Sequence, residues 1–172
     1  MNPDTRAVAG VLFKHAAHFF IRKGFRLSMT ALSGSDPDIE IDIPVANRKK
    51  RYYSLNILGS QNVHPDYLDL YMTPILEDES SVDALFISSA YNATFLFQMT
   101  VSRDHPINFR GLDEVVKNLP VNAQKKICIV FIVPAKDIPG DEYKGIQSRQ
   151  KIDADRFEGS TQYVDISAVR WT

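Results

Sequence analysis

The chain has 172 residues, 44% hydrophobic and 24% charged, which suits one domain with a real core and is too short for two comfortable ones. A net charge of −1 excludes a molecule that attracts nucleic acid as a whole, so any such binding needs a local basic patch. The single cysteine, Cys128, excludes an internal disulfide or a cysteine-rich zinc site, and no apolar run reaches the roughly 18 residues of a membrane span.

The opening "MNPDTRAVAG" has neither a basic n-region nor an apolar h-region, so no secretory signal is expected in it. Residues 5–23 read as a helix: Val8, Leu12, Ala16 and Phe19 recur at helical spacing, Pro3 precedes the start and Gly24 suits the stop. "FRLSMTAL" then reads as a strand. In "DIEIDIPV", Ile39, Ile41 and Ile43 alternate with Asp38, Glu40 and Asp42, the period of a half-solvated strand. "ANRKK" is expected to turn the chain into a return strand, "RYYSLNIL". A polar, proline-bearing approach follows, with "LYMTPILEDES" irregular.

Residues 82–87 and 94–101 read as two strands joined by a hairpin at "SSAYNA". Residues 111–119 read as a helix ended by Pro120. "KKICIVFIVP" is apolar and β-branched throughout, the pattern of a strand covered on both faces, and it makes Cys128 a buried thiol. A helix around 141–152 and a last short strand, "QYVDI", complete the expectation. The sum is one mixed α/β domain over residues 1–172, a sheet flanked by helices.

Four stretches carry a resemblance. "AGVLFKHAAHFFIRKGFRL", "LYMTPILEDESSVDALFI" with "FLFQMTVSRDHPINFRGL", and "IVFIVP" are similar, in this order, to blocks of the fungal Crinkler and retrotransposon-hot-spot (RHS) family. The first block of that family often reads Gly-x-x-Phe-Glu-x-x-x-His. The resemblance spans most of residues 9–134, and the Phe-Gln-Met-Thr-Val-Ser block is its most specific part. It implies a restriction-endonuclease-like fold of the PD-(D/E)XK superfamily: a helix, a three-stranded antiparallel run, a helix and a further strand. It also implies an effector acting inside host cells, often at the nucleus and on DNA.

Nucleases of that superfamily hold Mg²⁺ with hard oxygen ligands, because the ion prefers carboxylates and water and bridges to phosphate. Their strand Asp corresponds here to Asp83, and their Glu-x-Lys pair to Gln98 and Thr100. Their helix Glu corresponds to Lys14. Gln98 offers only a neutral oxygen, Thr100 supplies no cation, and Lys14 brings positive charge where the pattern holds negative. The resemblance thus implies a degenerate metal site, Asp83 with Gln98, in which Thr100 and His105 take the remaining catalytic positions. The bland reading is that Gln98 and Thr100 satisfy buried partners while Asp83 anchors the sheet.

Other groups invite weaker readings. Pro37-Asp38 and Glu142-Tyr143-Lys144 spell fragments of the nuclease motif outside its strands. Asp38, Glu40 and Asp42 share a strand face that can hold a cation or simply be wet. His15 and His18 are helix neighbours without an evident third ligand, His64 stands apart, and His105 suits a phosphate contact, a proton carrier or a turn-fixing role. Arg48, Lys49, Lys50 and Arg51 form the densest basic run, fit for phosphates, a nuclear address or a solvated tip. Tyr52 and Tyr53 beside it can stack on bases or serve as ordinary strand residues.

The expectation is therefore a nucleic-acid-associated effector domain, with DNA as partner, RNA or a host protein as other partners, and no membrane. The alternatives are an active Mg²⁺-dependent nuclease and a protein-interaction module on the same fold.

Overall fold

The computed structural model describes residues 3–31, 39–45, 51–52, 63–74, 82–101, 108–134 and 164–171. Helix α1 spans Pro3–Ile21 and leads into β1, Phe25–Ala31, and β2, Ile39–Ile43. The two-residue β3, Arg51–Tyr52, precedes β4, Tyr71–Pro74. A hairpin follows, β5 over Ala84–Ser88 and β6 over Ala93–Met99, then α2 over Phe109–Lys117. Strands β7, Ile127–Pro134, and β8, Val164–Trp171, complete the described elements. All eight strands join one mixed sheet in the order β2-β1-β8-β7-β6-β5-β4-β3. Among the described residues no helix is long and apolar enough to cross a membrane.

Local chemistry explains several boundaries. The Asn108 side chain accepts from the Gly111 amide at 3.2 Å, capping α2, and Asn118 ends that helix before Pro120. Asp113 and Lys117, one turn apart, pair at 2.6 Å on its outer face. Asn92, at φ 47°, turns the hairpin that sets Ser88 opposite Ala93. The β6–α2–β7 unit makes a parallel pair, while β4, β5 and β6 are antiparallel neighbours.

Two connections differ from the sequence reading. The return strand expected to pair with β2 does not do so in its described part. β2 pairs with β1, and β3 lies at the far edge of the sheet, parallel to β4. The short last strand is longer than expected and central: β8 runs parallel to β7 and antiparallel to β1, joining the two halves of the sheet. The expected helix around 141–152 lies outside the described residues.

The sheet buries both faces. On one, Leu85, Ile87, Leu96, Ile129 and Phe131 meet Leu112, Val115 and Val116 of α2. On the other, Phe86, Phe95, Phe97, Val130 and Ile132 meet Ala17 and Ile21 of α1. β7 thus contributes alternate residues to two cores, as its uninterrupted apolar run predicts. Leu27, Ile41 and Ile43 from the β1–β2 end join the α1 core. The Tyr91 hydroxyl at the β5–β6 hairpin donates to the Glu40 carbonyl of β2 at 2.7 Å. Strands far apart in the order meet in this way because the sheet curls around the C-terminal half of α1.

Gly24 turns the chain from α1 into β1 at φ +85°, and a Cβ there would lie 2.8 Å from Val45 Cγ2 and 3.2 Å from its amide nitrogen. Strain and crowding act together. Gly24→Ala is therefore expected to destabilise the fold by about 1–3 kcal/mol in chemical denaturation.

Candidate functional site

Lys14, His18 and Arg22 are four residues apart on or just past α1, so they form one line along the helix. Each meets a polar group of the sheet. Lys14 Nζ lies 2.7 Å from Asp83 Oδ1, and His18 Nδ1 shares a 2.8 Å hydrogen bond with the Tyr71 hydroxyl. Arg22 donates to Thr73 Oγ1 at 3.0 Å. Tyr71 and Thr73 are two apart on β4, so one strand face presents both hydroxyls. The result is a row of three polar contacts between helix and sheet, beside the apolar packing of Ala17 and Ile21.

Asp83 is the most constrained member. Its side chain is 8% exposed, against 34% for Lys14. Besides the ammonium on Oδ1, the Met99 amide donates to Oδ2 at 2.6 Å, so both carboxylate oxygens are engaged. A local irregularity brings it there. Ala84 stands opposite Phe97 in the ladder, yet the Asp83 amide also donates to the Phe97 carbonyl, at 2.8 Å. Two residues against one is the count of a β-bulge, which re-aims a side chain. Val82 and Leu85 pack on the α2 face and Ala84 on the α1 face, so the alternation breaks between Val82 and Ala84. Asp83 thereby joins the α1 face.

The same bookkeeping of faces separates Gln98. Phe97 and Met99 belong to the α1 core, Leu96 to the α2 core, and the ladder partner of Gln98 is Phe131, also of the α2 core. Gln98 therefore faces away from Asp83 and Lys14, which corrects the expectation that Asp83 and Gln98 converge on one metal. Thr100 is buried, and its amide donates to the Ile132 carbonyl at 3.0 Å. Lys14, which the resemblance sets beside the Asp83 position, pairs with Asp83 across the helix–sheet interface. His105 and the basic residues Arg48, Lys49 and Lys50 lie outside the described residues, as do Tyr53, Pro37-Asp38 and Glu142-Tyr143-Lys144. Arg51 and Tyr52 are described only as strand backbone.

The remaining acidic and imidazole groups resolve simply. Arg26, across from Asp42 on β1, donates to its carboxylate at 2.8 and 3.2 Å, and this hydrogen bonding holds the Asp42 carboxyl below its usual range. Arg26 also approaches Glu40 at 4.0 Å, so that strand face carries its own cation. His15 is exposed whereas His18 is buried, and His64 accepts from the Asp66 amide at 3.3 Å. Among the described residues no three His, Cys, Asp or Glu side chains gather as a metal cluster.

Sequence reading singled out Asp83 and Lys14 but not Tyr71, Thr73 or Arg22. A usable signal existed: basic residues at 14, 18 and 22 share one line of a helix, and Tyr71 and Thr73 share a strand parity.

Two measurements check this arrangement. Alanine at Lys14 and at Asp83, singly and together, should show a coupling of about 1 kcal/mol, with Asp83→Ala the costlier single change because it strips the Met99 amide of its acceptor. Burial, foremost, lowers the His18 pKa from 6.5 to about 4, with Arg22, Lys14 and His15 pushing the same way against Asp83. An imidazole kept neutral in the fold but free to take a proton when unfolded favours unfolding in acid. Its contribution is whole above pH 6.5 and fades toward pH 4, by about 3 kcal/mol at full extent. His18→Gln should flatten that part of the stability–pH curve, and an unchanged slope would exclude His18 as its source.

No family model, curated protein or solved structure matches this chain, so the chemistry of the site rests on its own side chains.

Proposed function

We propose that the chain is a restriction-endonuclease-like domain of the Crinkler/RHS type that associates with nucleic acid without cutting it. The observation carrying this reading is the Lys14–Asp83 contact at 2.7 Å. In an active nuclease of that type the strand carboxylate holds Mg²⁺. Here an ammonium sits against one of its oxygens and a backbone amide against the other. A cation entering this place meets a fixed positive charge. Two unit charges 4 Å apart repel by about 4 kcal/mol at an effective dielectric near 20, and Mg²⁺ carries two. The ion also demands several hard oxygens in near-octahedral array, which Asp83 alone does not supply.

The order of elements supports the fold half of the proposal. Helix α1, the antiparallel run β4-β5-β6, α2 and the parallel β7 follow one another as the resemblance implies, with β1–β3 placed after the first helix. Nucleic-acid association rests on the run Arg48 to Arg51, four consecutive cations in a chain of net charge −1. Effector action in a host cell, and at its nucleus, is carried by the resemblance alone.

Digestion of DNA and RNA with Mg²⁺ or Mn²⁺ tests the first half: the wild type should cleave no faster than Asp83→Ala. Robust metal-dependent cleavage, lost in Asp83→Ala, overturns the proposal in favour of an active nuclease. Binding tests the second half. Affinity for DNA should fall with added salt, and replacing Arg48–Arg51 with Ala should weaken it across sequences, reducing the log–log salt slope by about 0.9 for each phosphate that is no longer neutralised. Absence of salt-dependent binding would favour a protein-interaction module.

A further inference from the structure

Charge is uneven along the chain. Residues 5–35 hold five Lys or Arg and no Asp or Glu, although the whole chain has a net charge of −1. Lys14 and Arg26 are paired with Asp83 and Asp42. Arg22 and Lys23, at the C-terminal end of α1, meet no carboxylate among the described residues. Arg22 donates to the Thr73 hydroxyl at 3.0 Å, and the Lys23 ammonium lies 4.3 Å from the centroid of the Phe19 ring. Phe20 stands edge-on to Phe19 with centroids 5.4 Å apart, and the two residues are 45% and 54% exposed. The partial negative charge of a helix C-terminus suits two cations there. It does not account for two phenyl rings left half in water beside them.

Topology ties the basic run to the same end of the helix. Val45, which follows β2, packs against Gly24 just past α1. Arg51, which opens β3, stands level with Thr73, the residue that Arg22 holds. The described residues on either side of positions 46–50 thus both lie at the C-terminal end of α1, and the sequence between them carries Arg48, Lys49 and Lys50.

We propose that the C-terminal end of α1 takes up unpaired nucleic acid, with bases stacking on Phe19 and Phe20 while Lys23 meets the phosphates. The inference rests on the nucleic-acid reading above and adds to it a place and a form of the ligand. An exposed ring accepts any base by its π-face, whereas a base inside a duplex is already stacked on both sides. Two exposed rings therefore favour the unpaired form. A purely apolar partner would cover the rings but leave both cations without counter-charge. A polyanion bearing flat bases answers both, and the cations release its counterions. Arg22 has a positioning part: its bond to Thr73 fixes the helix end against β4.

Fluorescence anisotropy of the full chain with a labelled oligothymidylate of about 20 nucleotides, and with a duplex of equal length, tests it. The oligothymidylate should bind severalfold more tightly than the duplex. Phe19→Ala, keeping the far-UV circular dichroism of the wild type, should weaken oligothymidylate binding about tenfold at an unchanged salt slope and leave duplex binding as it was. Phe19→Trp should match or exceed the wild-type affinity. Lys23→Ala should reduce the log–log salt slope for the oligothymidylate by about 0.7, the loss of one phosphate contact. Binding that is lost with Arg48–Arg51 but indifferent to Phe19→Ala overturns this inference and leaves the broader reading standing. Absence of binding to either probe overturns both. Capture of anionic vesicles that Phe19→Ala abolishes, with oligothymidylate affinity unchanged, overturns this inference in favour of a membrane surface.

Discussion

The Asp83 carboxylate ties together three parts of the chain that are remote in sequence. It takes an ammonium from α1 on one oxygen and the Met99 amide at the end of β6 on the other, while its own amide donates to Phe97. A buried carboxylate without such partners carries a desolvation penalty of several kcal/mol, so its neighbours must be in place for the β5–β6 end of the sheet to close. Hydrophobic contact between α1 and the curled sheet is non-directional. The directional bonds of Lys14, His18 and Arg22 supply what apolar packing does not: a fixed position of the helix along the strands.

That constraint bears directly on chemistry. Under the proposed nuclease resemblance, the carboxylate aligned with a divalent-ion ligand is the one the fold uses as its fastening. A bulge aims it at α1, and Gln98, without that local re-aiming, stays with Leu96 and Phe131 on the other face. One strand pair thus sends its two motif positions to opposite sides of the sheet. A structural carboxylate, held by an internal cation, is the coherent account of the residues at 14 and 83.

Legibility in the sequence followed the range of the interactions. The run from Ile127 to Pro134 declared a doubly covered strand because both alternate sets of its residues are apolar. The β5–β6 hairpin was plain from its short turn and α2 from the stop at Pro120, although the helix begins at Phe109, ahead of the expected 111. Partnerships set by distant chain were not. Nothing in "RYYSLNIL" states that Arg51 and Tyr52 join β4 rather than β2, and nothing in the tail states that β8 lies between β1 and β7. The side taken by Asp83 was hidden for a third reason: period-two reasoning assumes an unbroken ladder, and one extra residue reverses its answer.

The most instructive departure is α1. The periodic stripe Val8-Leu12-Ala16-Phe19 marked the helix correctly and, by the ordinary rule, marked its core face. Solvent meets that stripe instead, and the sheet meets Phe13, Ala17 and Ile21 together with the polar Lys14 and His18. A helix that buries polar groups inward while exposing Val, Leu and Phe outward gains less from folding alone than its composition allows. With Leu12 65% and Phe19 54% exposed, each leaves about 1–2 kcal/mol of burial unrealised. The two faces therefore divide the work. Hydrogen bonds and one ion pair fix where the helix sits, while Val8, Leu12 and Phe19 on its other face stay exposed.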